Sequence, residues 1–274
     1  MDKALNAGAD ALILDLEDSV APAHKDAARA NVRAFVKANS AAAPQLWVRI
    51  NPLAVGALHA DLAAAAIDGV AGVVLPKPSS AADAIELAAE LDRCERPAVL
   101  PAGRIMILPI ATETPLAIFN LHTYAGATPR LGGLTWGAED LSAAVGASTA
   151  RTEAGLLTPL YELARSLCIA AAAAAGVPAI ETVYPKFRDA SGLVDYLARA
   201  RRDGFVGMMA IHPSQVAAIN AAFTPSEDEL RHAQEVAALF AVNPDAGTLA
   251  LNGKMLDAPH HAQALRIIER ARRR

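Results

Sequence analysis

The sequence predicts an α/β fold of the (β/α)8 barrel type, followed by a C-terminal helical extension. The chain has 274 residues, close to the ~250 that one such barrel commonly needs. Short runs rich in Val, Ile and Leu alternate with longer segments of helical period, which is typical of parallel strands joined by helices. Hydrophobic residues make up 53% of the chain and aromatic residues 4%, so we expect an aliphatic core.

Seven of these apolar runs are predicted to be strands. In chain order they cover residues 11–15, 46–50, 72–75, 105–110, 132–136, 179–183 and 207–211. A closed barrel of this type has eight strands, and residues 1–8 have a helical pattern. We therefore expect the barrel to lack its first strand in this chain, with the missing strand lying before Met1.

Segments of helical period follow the strands. Residues 26–38, for example, place Val32 and Val36 on one face. After the seventh strand the alternation ends, and Ser226, or Thr224 one turn earlier, is expected to cap a further helix. We therefore expect a barrel domain over residues 1–223 and a helical extension over residues 224–274.

Charge and cysteine usage exclude several classes of function. The net charge of -4 and the pI near 6.0 give no broad cationic surface, so nucleic acid and membrane partners are not expected. Cys94 and Cys168 lack a metal-binding or CxxC spacing and are expected to be buried thiols. The first ten residues carry no secretory apolar segment, which favours a cytoplasmic protein.

Charged residues follow most of the predicted strands. Side chains at the carboxyl ends of barrel strands face one shared mouth, where active sites of this fold lie. Residues of this kind are Asp15, Glu17, Asp18, Arg49, Lys77, Glu113, Asp140 and His212.

Glu113 and Asp140 follow consecutive predicted strands. Neighbouring parallel strands lie about 5 Å apart, so the two carboxylates can share one cation. Mg²⁺ fits such a pair, because it takes hard oxygen ligands and is usually held by one or two carboxylates. The alternative is that both residues are helix N-caps, a position that acidic residues favour.

Arg49 lies in the otherwise apolar segment Trp47-Val-Arg-Ile, where a buried guanidinium needs an anion. A substrate carboxylate or thioester oxygen would serve, and so would a structural salt bridge to Asp15 or Glu17.

The acidic group of Asp15, Glu17 and Asp18 is expected to order Arg49, Lys77 or metal-bound water from behind the site. Lys77 could form a Schiff base with substrate, but its flanking prolines and the nearby acids favour a charged, ion-paired lysine.

His212 ends the last predicted strand. At this end barrels often bind phosphate-bearing cofactor tails, so a substrate-binding role is one interpretation. The other is that His212 caps the following helix. The adjacent His260 and His261 lack a metal-ligand spacing and are expected to be surface residues.

Several segments together resemble the citrate lyase β-subunit-like branch of the HpcH/HpaI aldolase superfamily over nearly the whole chain. They are Leu14-Asp-Leu-Glu-Asp-Ser-Val with Lys25 and Arg29, Val48-Arg-Ile-Asn, Val74-Leu-Pro-Lys, Ile110-Ala-Thr-Glu-Thr-Pro, Gly137-Ala-Glu-Asp-Leu-Ser, Ile211-His-Pro-Ser-Gln and Gly253-Lys-Met-Leu-Asp-Ala-Pro.

The resemblance implies a barrel that binds Mg²⁺ through Glu113 and Asp140 and holds substrate with Arg49. It also implies that Asp257 transfers a proton across a subunit contact, and hence a homo-oligomer, commonly a trimer. Two features depart from the family pattern. The chain starts after the usual Arg-Ser-x-Leu-Phe-x-Pro-Gly-like segment, and Glu181 with Lys186 stands where relatives more often have an aspartate and no lysine.

The combined hypothesis is a Mg²⁺-dependent, reversible Claisen-type cleavage of a 3-hydroxyacyl thioester of the malyl, citramalyl or citryl type. Backbone N–H groups of Gly137 and Ala138 would stabilise oxyanion charge with Arg49, and Asp257 would exchange the proton. Two alternatives stay open: a metal-dependent aldolase on free keto acids, and a catalytically silent barrel subunit. The acyl group, and its carrier, coenzyme A or a carrier protein, stay undetermined.

Overall fold

A computed structural model describes residues 2–40 and 44–272. The chain divides into two compact units, Met1–Ala218 and Ile219–Arg274. None of the helices in these described ranges combines the length and the hydropathy that crossing a bilayer requires.

The first unit is built on seven parallel strands that pair in chain order. Strands β1 to β4 form one sheet and β5 to β7 a second, and parallel bridges from Ile107 to Leu131 and from Ile110 to Thr135 continue the pairing between them. The predicted parallel α/β arrangement is therefore confirmed. The strands are β1 (Ala11–Asp15), β2 (Gln45–Arg49), β3 (Val70–Leu75), β4 (Met106–Pro109), β5 (Leu134–Thr135), β6 (Ala179–Glu181) and β7 (Gly207–Met208).

Helices connect successive strands, as a parallel sheet requires. The connecting helices are α2 (Lys25–Asn39), α3 (Leu58–Ala65), α4 (Ala81–Glu95), α5 (Pro115–Asn120), α6 (Glu139–Val145), α7 (Pro159–Ala175) and α8 (Ala190–Asp203), while α1 (Asp2–Leu5) precedes β1 and α9 (Pro213–Phe223) follows β7. Local sequence explains their ends. Ser80 and Asp83 form a capping box at the start of α4, and Gly176 ends α7 in the left-handed conformation.

The sheet is packed closely around β3, where Val73 and Leu75 are fully buried. Gly72 makes this packing possible. A Cβ atom at position 72 would lie 2.3 Å from the Trp47 ring on β2, so only glycine lets the ring cross the strand there.

The second unit contains two helices and a hairpin, namely α10 (Glu227–Ala241), β8 (Thr248–Leu251), β9 (Lys254–Asp257) and α11 (Ala258–Arg272). Ser226 caps α10 in a capping box with Glu229, so Thr224 is not the cap. The unit has a core of its own, formed by Ala233, Val236, Phe240, Leu256 and Ala264.

The hairpin differs from the helical extension expected here. Its two-residue turn is Asn252-Gly253, with φ of 50° and 76°, the pair of positive values that a type I′ turn requires. The Asn-Gly pair was therefore the sequence signal for the hairpin, although helical segments dominate the region. The division into units falls within α9, whereas the sequence suggested a boundary after residue 223.

Candidate active site at the carboxyl ends of the strands

Lys77, which follows β3, links acidic side chains that follow β1 and β5. Its ammonium group forms ion pairs with Glu17, with Asp18 at 3.1 Å and with Asp140 at 3.2 Å. Burial acts to lower the pKa of Lys77, but these carboxylates outweigh it and raise the pKa well above its ordinary value. Lys77 is thus a charged, ion-paired lysine, which argues against the Schiff-base role.

The backbone of Lys77 also takes part. Its φ is 51°, a left-handed conformation that costs a non-glycine residue roughly 1 kcal/mol or more. In this conformation its N–H donates to Glu113 Oε2 at 2.6 Å. The prolines on both sides of Lys77 restrict the neighbouring backbone and help to hold this N–H in place.

Arg49 forms the structural salt bridge that the sequence left open. Its Nε and Nη2 each donate to Asp15 at 2.7 Å, and its Nη1 lies 2.9 Å from Glu17 Oε2. Burial acts to raise the pKa of Asp15, but Arg49 and the N–H groups of Ser19 and Glu17 lower it far below its usual range. A guanidinium carries five N–H donors, so these contacts leave Arg49 able to bind a further anion.

Glu113 and Asp140 come together after β4 and β5. Glu113 is only 4% exposed. Its pKa is raised to about 8, first by burial and then by the Asp140 and Glu17 carboxylates, against the N–H bond and the positive charge of Lys77. Asp140 lies in the first turn of α6 with its side chain partly exposed. A buried carboxyl facing other carboxylates is a group that a cation stabilises.

The helix-capping alternative is wrong for both residues. Thr114, not Glu113, caps α5 by accepting from the N–H of Ala117. The N-cap of α6 is Ala138 rather than Asp140. Neither carboxylate is therefore needed to cap its helix.

Gly137 plays a different part from the one expected. Its N–H donates to Thr112 Oγ1 at 3.2 Å and is thus already engaged, which does not fit the oxyanion-binding role predicted for it. A Cβ atom at this position would lie 2.8 Å from Glu113 Cγ. Gly137 therefore makes room for the Glu113 side chain. Ala138 lies beside it at the start of α6 and is buried.

A network of hydrogen bonds that the sequence periodicity did not reveal holds the segments that carry the site residues. Lys25 Nζ donates to the carbonyls of Leu16 and Glu17 and to Asn51 Oδ1, all within 2.8 Å. The fully buried Asp61 accepts from Asn51 and from Arg29. These bonds fix the segments after β1 and β2. Lys25 and Arg29 were visible in the sequence only as part of the family pattern.

His212 and Glu181 have structural partners. His212 Nδ1 accepts from the Ser214 N–H at 3.2 Å, so His212 caps the start of α9, as one of its two interpretations proposed. Glu181 is fully buried and accepts hydrogen bonds from Trp136 Nε1 at 2.5 Å and Arg165 Nε at 2.8 Å. Its departure from the family pattern is thus accommodated within the core.

Asp257, in the second unit, ends β9 with a half-buried side chain. Its Oδ1 lies 2.5 Å from His260 Nδ1, and the hydrogen bond with His260 is the main cause of its lowered pKa. His260 is thus a partner of Asp257, and His261 stacks on Phe240 with ring centroids 4.7 Å apart. His260 is exposed and His261 partly exposed, as expected for surface residues, but each has a side-chain partner that the sequence did not reveal.

The geometry of the possible ligands indicates which kind of metal ion the site could hold. Within residues 2–40 and 44–272, no group of three or more His, Cys, Asp or Glu side chains is arranged to hold a metal ion. Zn²⁺ sites of the structural type need four protein ligands, whereas Mg²⁺ uses one or two carboxylates with water and substrate oxygens. Glu113 and Asp140 thus suit the second kind of ion.

Several known proteins are similar to this chain in sequence. Residues 1–213 match the model of the HpcH/HpaI aldolase/citrate lyase family. The chain is 33% identical to the citrate lyase subunit beta of Haemophilus influenzae, over 96% of this chain and 89% of the relative. It is 28% identical to the mitochondrial citramalyl-CoA lyase of Rattus norvegicus, over 94% and 78%.

A solved structure is similar over almost the full length. The protein CitE from Mycobacterium tuberculosis, in complex with magnesium, acetoacetate and coenzyme A, superposes with a TM-score of 0.74 at 33% identity. The match covers 99% of this chain and 92% of that one.

Proposed function

The chain belongs to the HpcH/HpaI aldolase/citrate lyase family, and from that premise we propose that it is a Mg²⁺-dependent carbon–carbon lyase acting on a 3-hydroxyacyl thioester. The substrate is of the malyl, citramalyl or citryl type. The products are a keto acid and an acyl thioester.

One observation carries the proposal: Glu113 and Asp140 meet at the ends of adjacent strands, with Glu113 buried. Five carboxyl groups, those of Asp15, Glu17, Asp18, Glu113 and Asp140, converge there on the two cations Arg49 and Lys77. Positive charge is in deficit, so a divalent cation fits the donor set.

Two residues of the site are proposed as metal ligands, and the others position them. Glu113 and Asp140 would hold the ion, with Glu113 oriented by the Lys77 N–H and accommodated by Gly137. Bound Mg²⁺ supplies Lewis-acid polarisation of the substrate's hydroxyl or keto oxygen. Lys77, through its ion pairs with Glu17, Asp18 and Asp140, holds these three carboxylates in place.

Cleavage breaks the bond between C2 and C3 of the acyl chain. The hydroxyl on C3 loses its proton and becomes the carbonyl of the keto acid, while the electron pair of the broken bond passes to C2. Arg49, through its remaining N–H donors, and the Ala138 N–H would bind the oxygen that carries the resulting negative charge. Asp257 would deliver a proton to C2, and the proton lost by the hydroxyl balances the one gained there, which completes the acyl thioester.

Two parts of the family architecture belong to this proposal. The strands β1 to β7 are taken to be seven of the eight strands of a (β/α)8 barrel, which lacks its first strand in this chain. Asp257 is taken to act across a subunit contact of a homo-oligomer, commonly a trimer. Cross-linking and light scattering of the purified protein test the oligomer directly.

A substrate screen tests the reaction. Malyl-, citramalyl- and citryl-thioesters are supplied with Mg²⁺, and release of glyoxylate, pyruvate and oxaloacetate is followed, with the corresponding free acids as matched substrates. We expect turnover of a thioester and none of the free acid. Cleavage of the free acid would favour the aldolase, whereas Mg²⁺ binding without any turnover would favour the silent subunit.

A further inference from the structure

Asp257 and His260 form a side-chain pair at the junction between β9 and α11. Asp257 is the last residue of β9, and His260 lies three residues later in the first turn of α11. Asp257 Oδ1 and His260 Nδ1 are 2.5 Å apart. The two side chains are 34% and 48% exposed, so a ligand can reach both of them.

The proton in this contact belongs to the ring of His260. The hydrogen bond with His260 lowers the pKa of Asp257, so the carboxyl group is ionised at neutral pH and can only accept hydrogen bonds. The nitrogen that faces it must therefore carry the hydrogen. A longer contact of 3.3 Å joins the Asp257 N–H to the same Nδ1, but it would need an unprotonated nitrogen. Nδ1 thus donates to Oδ1.

The pair also has the sequence spacing of a capping box, in which two residues three apart bond to each other's backbone N–H groups. Both of these backbone contacts are long: His260 N–H to Asp257 Oδ1 is 3.5 Å, and Asp257 N–H to His260 Nδ1 is 3.3 Å. Good hydrogen bonds of this kind span at most about 3.2 Å. The shortest contact of the pair joins the two side chains, and capping does not require such a contact.

The backbone on both sides of the pair is held in place. Asp257 is paired with Thr248 in the antiparallel ladder of β8 and β9. On α11, the ring next to His260 is that of His261, which stacks on Phe240 of the core with ring centroids 4.7 Å apart. The carboxylate and the imidazole therefore start from fixed positions.

The charge at Asp257 depends mainly on His260. The causes that lower the pKa of Asp257 are its hydrogen bonds with His260, the charge of that ring and its own backbone, against a small effect of burial. Strand β8 consists of Thr-Leu-Ala-Leu and has no ionisable side chain. The other ionisable side chains of the adjoining elements are Asp245 before β8, Lys254 at the opposite end of β9, His261 and Arg266 early in α11, and those of α10 over residues 227–235.

We propose that His260 is a positioning residue for proton transfer: its Nδ1–H holds Oδ1 of Asp257 and leaves Oδ2 to exchange a proton with C2 of the acyl thioester. This inference rests on the proposed function. In the direction of condensation, the C2–H bond breaks, an Oδ2–H bond forms, and the electron pair left on C2 forms the bond to the keto carbon. The keto oxygen gains a proton from solvent, and Oδ2 later releases its own. Cleavage reverses these steps.

The hydrogen bond from His260 would favour the transfer in two ways. It limits rotation of the carboxylate, so that Oδ2 stays aligned with the C2–H bond. It also stabilises the ionised carboxylate, which is the form that accepts the proton. Without His260, the carboxylate of Asp257 rotates more freely and its pKa returns towards the ordinary value.

Two substitutions, His260→Gln and His260→Ala, test the proposal. The matched control is His232→Gln, which changes an exposed histidine on α10. Glutamine can complete a capping box and can donate an amide N–H to Oδ1, but it carries no charge. Condensation of acetyl-coenzyme A with glyoxylate, pyruvate or oxaloacetate, in the presence of Mg²⁺, gives kcat, KM and their pH dependence, and urea unfolding gives the stability of each variant.

We expect His260→Ala to lower kcat about 10- to 100-fold with KM nearly unchanged, and His260→Gln to recover part of this loss. In both variants the acid limb of kcat should move to higher pH, because Asp257 loses the partner that lowers its pKa. A wild-type kcat and an unmoved acid limb in His260→Gln would show that His260 only caps α11. That result, or an equal fall of kcat in the control, would overturn the inference.

An NMR measurement separates this inference from the proposed reaction. Imidazole ¹H–¹⁵N spectra of the full chain at neutral pH, assigned with His260→Gln, show whether His260 Nδ1 carries a hydrogen-bonded proton. Such a proton in the wild type that is lost in Asp257→Ala supports the pair even if no thioester reacts. Its absence from the wild type, or its persistence in Asp257→Ala, refutes the assignment even if the chain is an active lyase.

Discussion

Ion pairs occur at both ends of the parallel strands, and the two groups differ in how completely they are satisfied. The amino-end cluster consists of Asp92, Glu95 and Arg130. Arg130 donates to both oxygens of Glu95 at 2.8 and 2.6 Å, and the N–H groups of Gly103 and Ile105 donate to the same carboxylate. The carboxyl-end cluster consists of Asp15, Glu17, Asp18, Arg49, Lys77, Glu113 and Asp140.

Two glutamates show the difference. Glu95 is 1% exposed and Glu113 is 4% exposed. Burial acts to raise the pKa of both, yet Arg130 and two backbone N–H groups lower the pKa of Glu95, whereas that of Glu113 is raised to about 8. Burial of a carboxylate therefore does not by itself mark a functional site. A shortage of positive partners does, because that charge is left for a ligand to balance.

The largest expected effect comes from removing the unsatisfied charge. Glu113→Gln and Asp140→Asn should each abolish measurable Mg²⁺ binding and reduce turnover more than about 100-fold, since even indirect partners of a metal ligand account for 10- to 100-fold. Calorimetric titration with Mg²⁺ measures this. Glu95→Gln is the matched control and should bind Mg²⁺ normally. Wild-type Mg²⁺ affinity in the first two variants would remove the metal assignment.

A carboxylate outside both clusters sharpens the comparison. Asp257→Asn should lower kcat by about 10²- to 10⁴-fold, because the amide cannot transfer a proton, while Mg²⁺ affinity stays unchanged. Rate measurements at saturating substrate, together with Mg²⁺ titration, check both parts. Full activity in this variant would reduce Asp257 to a structural partner of His260.

For stability we expect the opposite order: a substitution in the amino-end cluster should cost more unfolding free energy than one in the carboxyl-end cluster. Glu95→Ala leaves the buried Arg130 guanidinium without its main partner and should lower the free energy of unfolding by about 3–5 kcal/mol. Glu113→Gln should leave that free energy unchanged or raise it, because it removes a buried carboxyl that faces like charges. Urea unfolding without Mg²⁺ measures the unfolding free energy of both variants and of the wild type. Comparable destabilisation by the two substitutions would contradict the contrast.

The smallest effect is on the pH dependence of stability. The pKa of Glu95 is lowered on folding, so its ionised form stabilises the protein above its unfolded pKa of about 4.3, and this contribution is lost as the pH falls through the folded value. The difference in unfolding free energy between wild type and Glu95→Gln should shrink from pH 6 towards pH 3. A difference that stays constant over this range would show that Glu95 is not stabilised as an ion.

The sequence predicted the order of the elements better than their lengths. All seven predicted strands are present, and β1 has the predicted bounds, because a buried parallel strand is a continuous apolar run that local composition reveals. Strands β5 and β7 shrink to two residues each, since a strand ends where its hydrogen-bonded neighbour ends. The hairpin β8–β9 was missed although its Asn252-Gly253 turn is visible.

The candidate residues of the site could also be predicted from the local sequence pattern. A charged residue directly after an apolar run lies at a strand end whatever its neighbours are, so Arg49, Lys77, Glu113 and Asp140 could be chosen from local pattern alone. Their partners could not. The occupied N–H of Gly137, the Glu181–Arg165 contact and the pairing of Asp257 with His260 all depend on side-chain positions that composition does not encode.

What the sequence alone determined is therefore the parallel α/β class, the strand order and the residues placed at the strand ends, all of which follow from the local periodicity of apolar residues. Only the tertiary structure decided which charges are satisfied. Asp15 and Arg49, 34 residues apart in the chain, pair because β1 and β2 align them in register. The Lys77 N–H reaches Glu113 because residue 77 turns left-handed between two prolines. Charge balance depends on distance and burial, which are fixed only when the strands pair.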